Sequence, residues 1–292
     1  MSVLVSFGHG YSARALTPPL LARGWEVVGT TRSPETAEAL RADGVTPVLW
    51  GEAVPVARAT HVLVSAAPGE GGDPTLHTYA SALEGFGGWL GYLSTTGVYG
   101  DHGGGWVDED TPLAPSTRRG RLRVEAEAAW RDLAARSGAA LHLFRLAGIY
   151  GPGRGPFSKV RAGTARRIVK PGQVFSRIHV DDIAGALLAS IDRPEAPPGG
   201  AVAYNVCDDA PAPPEDVIAE AARLLGLPVP PAEDFATAEM TPMARSFYAE
   251  SKRVRNDRIK RLGLRLRHPD HRAGLAALLQ AERSAADPSD ST

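Results

Sequence analysis

The sequence has a single cysteine, Cys207, among its 292 residues, so no disulfide can form within the chain. This is typical of a reducing compartment, and we expect Cys207 to be a core residue rather than a reactive thiol. No apolar run approaches the roughly 18 residues that a membrane-spanning helix needs. The start of the chain lacks the basic and apolar regions of a signal peptide. These absences predict a cytoplasmic protein that does not bind membranes.

The sequence also lacks an excess of charge of either sign and the usual metal-binding patterns. The net charge is −1, which disfavours a nucleic-acid partner and leaves a small-molecule substrate as the expected one. There is no H-x-x-x-H pair, no cysteine pair and no spaced set of carboxylates, so the sequence predicts no metal site. We interpret the acidic residues around 101–110 as a solvated loop, and the basic segment 251–268 as a solvated helix with its apolar stripe inward.

Apolar runs of strand length recur along the chain and alternate with helical patterns. The runs lie at 3–7, 25–30, 61–66, 89–94, 141–146 and 201–206. Strands that alternate with helices form parallel sheets through right-handed crossovers. The pattern therefore predicts an α/β fold of the Rossmann type, with a doubly wound parallel sheet.

The helical segments carry their own start and stop signals. Pro18 and Pro19 predict a break in the first helix, because a proline removes an intrahelical hydrogen bond. Asp181 or Asp182 is expected to cap the helix over "IAGALLASI". Further helices are predicted at about 120–136, 214–225, 250–262 and 270–281.

The composition changes after residue 150, where glycine, proline and basic residues become frequent. We predict a nucleotide-binding domain of residues 1–149 plus 174–206. A smaller, discontinuous substrate lobe would consist of residues 150–173 plus 207–283. The small polar residues at 284–292 predict a disordered tail.

The first predicted strand runs directly into a glycine-rich loop. Gly8-x-Gly10-x-x-Ala13 includes Tyr11 and Ser12 and opens a helix. Such glycines allow a tight turn and close approach of the backbone to a pyrophosphate, which the helix N-terminus attracts. The loop therefore predicts a dinucleotide site; the alternative is a plain turn between strand and helix.

The second predicted strand ends in Thr30, Thr31 and Arg32. An NAD site usually carries an acidic residue there, which accepts from the ribose 2′-hydroxyl. A guanidinium and hydroxyls suit a phosphate instead. The sequence therefore favours NADP over NAD; the alternative is that Arg32 is an ordinary surface residue.

Four segments, read together and in order, resemble a known family. They are "YLSTTGVYGD" (92–101), "FRLAGIYGPG" (144–153), "RIHVDDIA" (177–184) and "YNVCDD" (204–209). The chain resembles the extended short-chain dehydrogenase/reductases of the NAD(P)-dependent epimerase/dehydratase superfamily, and in particular an atypical subgroup that opens with GxGY. The resemblance spans the chain from Val3 to about Leu279.

The resemblance implies roles for residues that match the family's motifs. Ser65, Ala66 and Ala67 would run beside the adenosine and ribose. Thr95 would hydrogen-bond the substrate's carbonyl or hydroxyl, next to the cofactor. Tyr150 would border the nicotinamide.

The family's catalytic Tyr-x-x-x-Lys pair is replaced in this chain. The matching frame, "APSTRRGRLRVEAE", places Arg119 at the tyrosine position and Arg123 at the lysine position. Arginine stays protonated, so Arg119 cannot transfer a proton as a phenol does. We expect Arg119 to bind an anionic substrate and Arg123 to hold ribose hydroxyls and polarise a nearby group. The alternative is a solvated helix face with i,i+4 pairs to Glu125 and Glu127.

Another group would then have to move the proton, and Tyr99, Tyr150 and His179 are the candidates. In related enzymes the segment containing Arg177 and His179 contacts the nucleotide part of the substrate. Two hypotheses remain open: an NADP-dependent oxidoreductase or epimerase-type enzyme, and an NADP-binding sensor that has lost catalysis. A third is a scaffold with a vestigial site.

The family often forms dimers through the helix that carries the motif pair. Charge is depleted at the core of such interfaces. The four arginines at 118–123 therefore leave a homodimer open rather than favoured.

Overall fold

The computed structural model describes residues 1–286. Its strands are β1 Val3–Phe7, β2 Glu26–Thr31, β3 Thr46–Leu49, β4 His61–Val64, β5 Trp89–Thr95, β6 Trp106–Val107, β7 Ala140–Leu146, β8 Gly148–Tyr150, β9 Arg167–Val169, β10 Arg177–His179, β11 Ala201–Val206, β12 Ala232–Asp234 and β13 Arg253–Val254. Seven of them form one parallel sheet in the order β11-β7-β5-β4-β1-β2-β3. The predicted α/β fold is confirmed.

Some helices flank this sheet, and others lie in the segments predicted as the substrate lobe. They are α1 Tyr11–Arg14, α2 Thr17–Ala22, α3 Pro34–Ala42, α4 Pro74–Leu83, α5 Arg118–Ser137, α6 Phe157–Arg161, α7 Val180–Asp192, α8 Pro214–Leu224, α9 Pro242–Ser246, α10 Asp257–Arg261 and α11 His271–Ala286. Among residues 1–286, no helix is both long and apolar enough to span a bilayer.

Alternate side chains of the strands enter two separate cores, because successive residues of a strand point to opposite faces. Leu4, Val27 and Leu63 pack into one core, and Val5 and Val28 into the other. Both faces of the sheet are therefore covered, as a doubly wound fold requires. A third core lies in the lobe and joins α6, α8 and α11.

Several local predictions are confirmed and others are wrong. The first helix breaks into α1 and α2 at the prolines, as predicted. His179, rather than Asp181 or Asp182, caps α7, because its Nδ1 accepts from the Asp181 N–H at 3.2 Å. Cys207 is buried, and burial raises the pKa of its thiol.

The predicted helix at 250–262 is mostly absent. Only residues 257–261 are helical, and Arg253 and Val254 instead pair with Trp106 and Val107. The predicted tail is partly wrong as well. Helix α11 continues through Ala286, and residues 287–292 lie outside the described residues.

Candidate functional site

The glycine-rich loop sits where three neighbouring strands end. The Gly8 N–H donates to Thr30 Oγ1 at 2.8 Å, and the Ser65 hydroxyl donates to the Gly8 carbonyl. A Cβ at Gly8, whose φ is +71°, would lie 3.0 Å from the Ala66 nitrogen. Residues predicted separately from β1, β2 and β4 thus meet at one edge of the sheet, where doubly wound folds bind dinucleotides.

The remaining loop residues open the first helix. Gly10 is the N-cap of α1, Ser12 is half-buried and Ala13 is buried. The Tyr11 hydroxyl donates to the Pro152 carbonyl at 3.0 Å. The loop is therefore tied to the segment that follows β8, where the lobe begins.

The end of β2 presents a cation to solvent. Thr30 is buried against the loop, Thr31 is half-buried and Arg32 is exposed. Within residues 1–286, Arg32 makes no ion pair. Ala67, which follows β4, is exposed. The guanidinium of Arg32 is thus available to a ligand at this edge of the sheet.

Thr95 and Arg119 lie on segments that pack against each other. Thr95 is half-buried, and its Oγ1 accepts from the Gly97 N–H at 3.2 Å. A Cβ at Gly120 would lie 2.7 Å from the Gly97 carbonyl oxygen, so the first turn of α5 sits directly on this turn. Arg119 precedes Gly120 and is exposed. The structure therefore brings an exposed cation to the segment of Thr95.

Arg123 turns inward toward β5. Its Nη1 donates to the Leu93 carbonyl at 2.7 Å and to the Tyr92 hydroxyl at 3.2 Å. Glu127, which could have paired with Arg123, binds Arg145 instead. The alternative of a solvated i,i+4 pair therefore does not describe Arg123, whose charge is anchored to the sheet.

A buried polar network lies beneath Thr95. Glu127 binds the Arg145 guanidinium at 2.9 Å and accepts from the Ser94 hydroxyl at 2.5 Å. Arg145 Nη1 donates to the Tyr99 hydroxyl at 2.9 Å, and that hydroxyl donates to Asn205 Oδ1 at 2.7 Å. Burial raises the pKa of Tyr99 to about 12. Tyr99 is fully buried, so its placement disagrees with the predicted catalytic role.

Tyr150 faces the lobe rather than the glycine loop. Its side chain is buried in the lobe core, against Gly274, and its hydroxyl donates weakly to the Asp270 carbonyl at 3.4 Å. Neighbouring Arg177 donates to the carbonyls of Phe175 and Ala212, at 3.0 and 2.9 Å. Both side chains are thus engaged within the protein. This conflicts with the cofactor and substrate contacts predicted for Tyr150 and Arg177.

His179 is buried at the start of α7. Its ring meets the Tyr150 ring edge-on, with centroids 5.2 Å apart. Burial, with a smaller contribution from His268, lowers the pKa of His179 to about 4. The ring is neutral at pH 7, but its burial in the structure gives a substrate no direct access.

Sequence reasoning missed an ion pair beside this region. Lys252 Nζ donates to the Gly100 carbonyl and to Glu250, both at 2.7 Å, and Glu250 accepts from the Ser116 hydroxyl at 2.5 Å. Lys252 is buried although its segment was predicted to be a solvated helix. The periodicity of the surrounding sequence could not predict this burial, because contacts with residues far away in the chain bury Lys252.

The acidic loop agrees with its prediction only in part. Glu109 accepts from the Asn205 N–H at 2.8 Å, and burial raises the pKa of its carboxyl. Asp101 accepts from the Ser251 N–H at 2.7 Å. Glu109 is therefore held inside the fold, whereas Asp101 and Asp110 are exposed, as a solvated loop predicts.

Comparison with known proteins places this arrangement in a family. The profile of the NAD-dependent epimerase/dehydratase family matches residues 78–207. Protein YeeZ of Escherichia coli strain K12 is 30% identical over 249 residues, which are 79% of this chain and 86% of YeeZ. The chain belongs to the NAD-dependent epimerase/dehydratase family.

Solved structures show the same fold. A conserved protein of unknown function from Silicibacter pomeroyi is 58% identical, with a TM-score of 0.90 over 97% of this chain and 99% of that one. MoeE5, in complex with UDP-glucose and NAD, is 22% identical, with a TM-score of 0.74 over 98% and 100%. Human epimerase family protein SDR39U1, with NADPH, is 19% identical, with a TM-score of 0.74 over 96% and 99%. The last two show likeness of fold alone.

Proposed function

We propose that this family member is an NADP-dependent oxidoreductase or epimerase-type enzyme. The choice of NADP rests on the end of β2. There, exposed Arg32 follows two threonines, and no acidic residue is present. A free guanidinium binds a 2′-phosphate through charge-assisted hydrogen bonds, which are stronger than a hydrogen bond to a 2′-hydroxyl of the same ribose. The NADPH complex of SDR39U1 supports this cofactor, and the NAD complex of MoeE5 supports the other.

The substrate class that fits best is an anion such as a sugar nucleotide. Exposed Arg119 lies on the turn of α5 that packs against the Thr95 segment, so it can bind a phosphate or carboxylate there. Thr95 would orient the reacting oxygen. When bound, the nicotinamide supplies the hydride chemistry, and the protein positions and polarises the substrate.

A second candidate, an NADP-binding sensor without turnover, is favoured by Arg123. Its guanidinium is engaged by the Leu93 carbonyl and the Tyr92 hydroxyl. The residue at the lysine position is therefore less free to hold ribose hydroxyls than an unengaged lysine would be. Together with the buried hydroxyl of Tyr99, this leaves no obvious group for proton transfer.

The cofactor is tested by titration with NADPH and NADH, followed by nicotinamide fluorescence and calorimetry. We expect Arg32→Ala to weaken NADPH binding by about 10- to 100-fold, the worth of one charge-assisted contact to phosphate, and to leave NADH binding nearly unchanged. Arg41→Ala is the matched control, because Arg41 is an exposed arginine on the next helix. Equal weakening of both nucleotides by Arg32→Ala would contradict the NADP assignment.

Turnover separates the enzyme from the sensor. With NADPH or NADP and UDP-sugars as first probes, we expect hydride transfer that Arg119→Ala reduces at least tenfold in kcat/KM, because the anion loses a charged partner. Arg118→Ala is the control, since Arg118 is exposed and pairs with Glu70. Tight cofactor binding without turnover on any anionic sugar would favour the sensor, and no nucleotide binding at all would overturn both.

A further inference from the structure

Three metal-ligating side chains converge at the start of α7, although they are far apart in sequence. His179 Nδ1 and His268 Nε2 each lie 3.5 Å from the same carboxylate oxygen, Asp181 Oδ2. One ligand atom from each residue lies within 4.8 Å of the other two. The two rings lie close together, with centroids 3.9 Å apart and an angle of 49° between their planes. Asp181 lines the same cavity as Gly10 and Tyr11 of the glycine loop.

The fold holds this cluster together through backbone contacts. The carboxylate of Asp182 accepts from the Arg267 N–H at 2.7 Å and from the His268 N–H at 3.1 Å. This fixes the loop that carries His268 against the first turn of α7. The ligand atoms are therefore brought together by hydrogen bonds that a bound ion need not supply, so little ordering would oppose binding.

The hydrogen bonding of His179 shows which ring nitrogen carries the lone pair. The Asp181 N–H donates to Nδ1, so Nδ1 is unprotonated and the ring proton is on Nε2. Nδ1 is thus an acceptor that lies 3.5 Å from the acceptor oxygen of Asp181, and a bound ion would take over the lone pair that now accepts the Asp181 N–H. In the part of the chain that the structure describes, no hydrogen bond joins the three ligand atoms to one another. Facing lone pairs of this kind are stabilised by a cation between them.

The spacing also matches a particular class of ion. Bonds of about 2.0–2.2 Å to nitrogen and carboxylate oxygen, in a tetrahedron, place neighbouring ligand atoms about 3.3–3.6 Å apart. Both 3.5 Å separations at Asp181 Oδ2 fall in that range. The two imidazole nitrogens lie within 4.8 Å of each other. Two imidazoles and one carboxylate suit zinc and its neighbours rather than magnesium or calcium.

We propose that His179, Asp181 and His268 bind one divalent transition-metal ion, with zinc as the expected metal. The side chain of Asp181 is 44% exposed, which leaves a path for the ion and room for a water as fourth ligand. The ion would join the first turn of α7 to the loop that leads into α11. Because α11 helps to form the lobe core, this metal would clamp the lobe to the sheet domain.

The test uses the full chain, freed of metal with a chelator and titrated with Co²⁺ and Zn²⁺. We expect one equivalent of Co²⁺ to give the visible absorption of a tetrahedral nitrogen and oxygen site, and Zn²⁺ to displace it. Zn²⁺ should also raise the Tm, because a ligand that binds only the folded state stabilises it. His268→Ala and Asp181→Asn should each weaken binding at least tenfold and reduce the Tm shift at the same Zn²⁺ concentration.

The controls distinguish a variant that does not fold from a folded variant that lacks one metal-binding side chain. His77→Ala removes an exposed histidine elsewhere and should bind as the unchanged protein does. Circular dichroism establishes that each variant is folded, and Asp181→Asn keeps the shape of the side chain. No Co²⁺ absorption in the unchanged protein, or equal affinity in folded His268→Ala and Asp181→Asn, would overturn the proposal. NADPH binding, measured in parallel, does not enter the result.

Discussion

Replacement of Arg145 by methionine is expected to lower the free energy of unfolding by about 3–5 kcal/mol. Arg145 and Glu127 are 3% and 2% exposed in their side chains, and their guanidinium and carboxylate lie 2.9 Å apart. Removing the arginine leaves a carboxylate buried without its partner and takes a donor from the Tyr99 hydroxyl. Urea unfolding followed by circular dichroism measures the loss.

Two further variants serve as controls for the effect of Arg145→Met on stability. Arg161→Met breaks an exposed ion pair with Glu282 and should cost less than about 1 kcal/mol. The double variant Arg145→Met with Glu127→Leu removes both charges and should recover much of the loss, because no carboxylate is left unpaired. A loss from Arg145→Met as small as that from Arg161→Met would show that the buried pair does not hold the sheet to α5.

Gly100→Ala is expected to cost about 3 kcal/mol or more, because strain and overlap combine at this position. Gly100 has φ +76° and ψ −153°, a conformation that only glycine adopts readily. A Cβ there would overlap the Ala114 carbonyl oxygen. The backbone cannot easily move away, since the Gly100 carbonyl accepts from buried Lys252.

A nearby glycine provides the matched control for this substitution. Gly103 has φ +55°, and a Cβ there would meet open space. Gly103→Ala should therefore cost only about 1–2 kcal/mol, from the left-handed backbone alone. The difference between the two variants in urea unfolding measures the overlap at Gly100, and equal losses would contradict the structural explanation.

The sheet was largely predictable because most of its strands are buried on both faces and appear as continuous apolar runs. Strand β3, "TPVL", was missed because it lies at the sheet edge and none of its residues is buried. The helix predicted at 250–262 failed for the opposite reason. Its periodicity was real, but the pairing of Val254 with Val107 and the burial of Lys252 come from distant contacts.

The candidate site likewise contains residues that the sequence could predict and residues that it could not. Gly8, Thr30 and Ser65 were predictable because each ends a parallel strand, and such ends meet at one edge of a sheet. The burial of the Tyr99 side chain was not predictable from the sequence. It depends on the hydrogen bond from Arg145 and on the rest of the buried polar network, which a sequence motif does not reveal. The approach of His268 to His179 was equally hidden, since tertiary contacts alone bring them together.

The burial of Tyr150 in the lobe core has a consequence for how the chain folds during synthesis. Its hydroxyl reaches the carbonyl of a residue 120 positions later, and its ring packs on α11. Sheet strands β1 to β5 can pair as they leave the ribosome, since each of β2 to β5 lies beside a strand that precedes it in the chain. The lobe core must wait until α11 has emerged, and until then the apolar side chains of α6 and α8 stay exposed. A nascent chain should therefore acquire its glycine loop early and its closed lobe late, which makes the interval between them the period of greatest risk of aggregation.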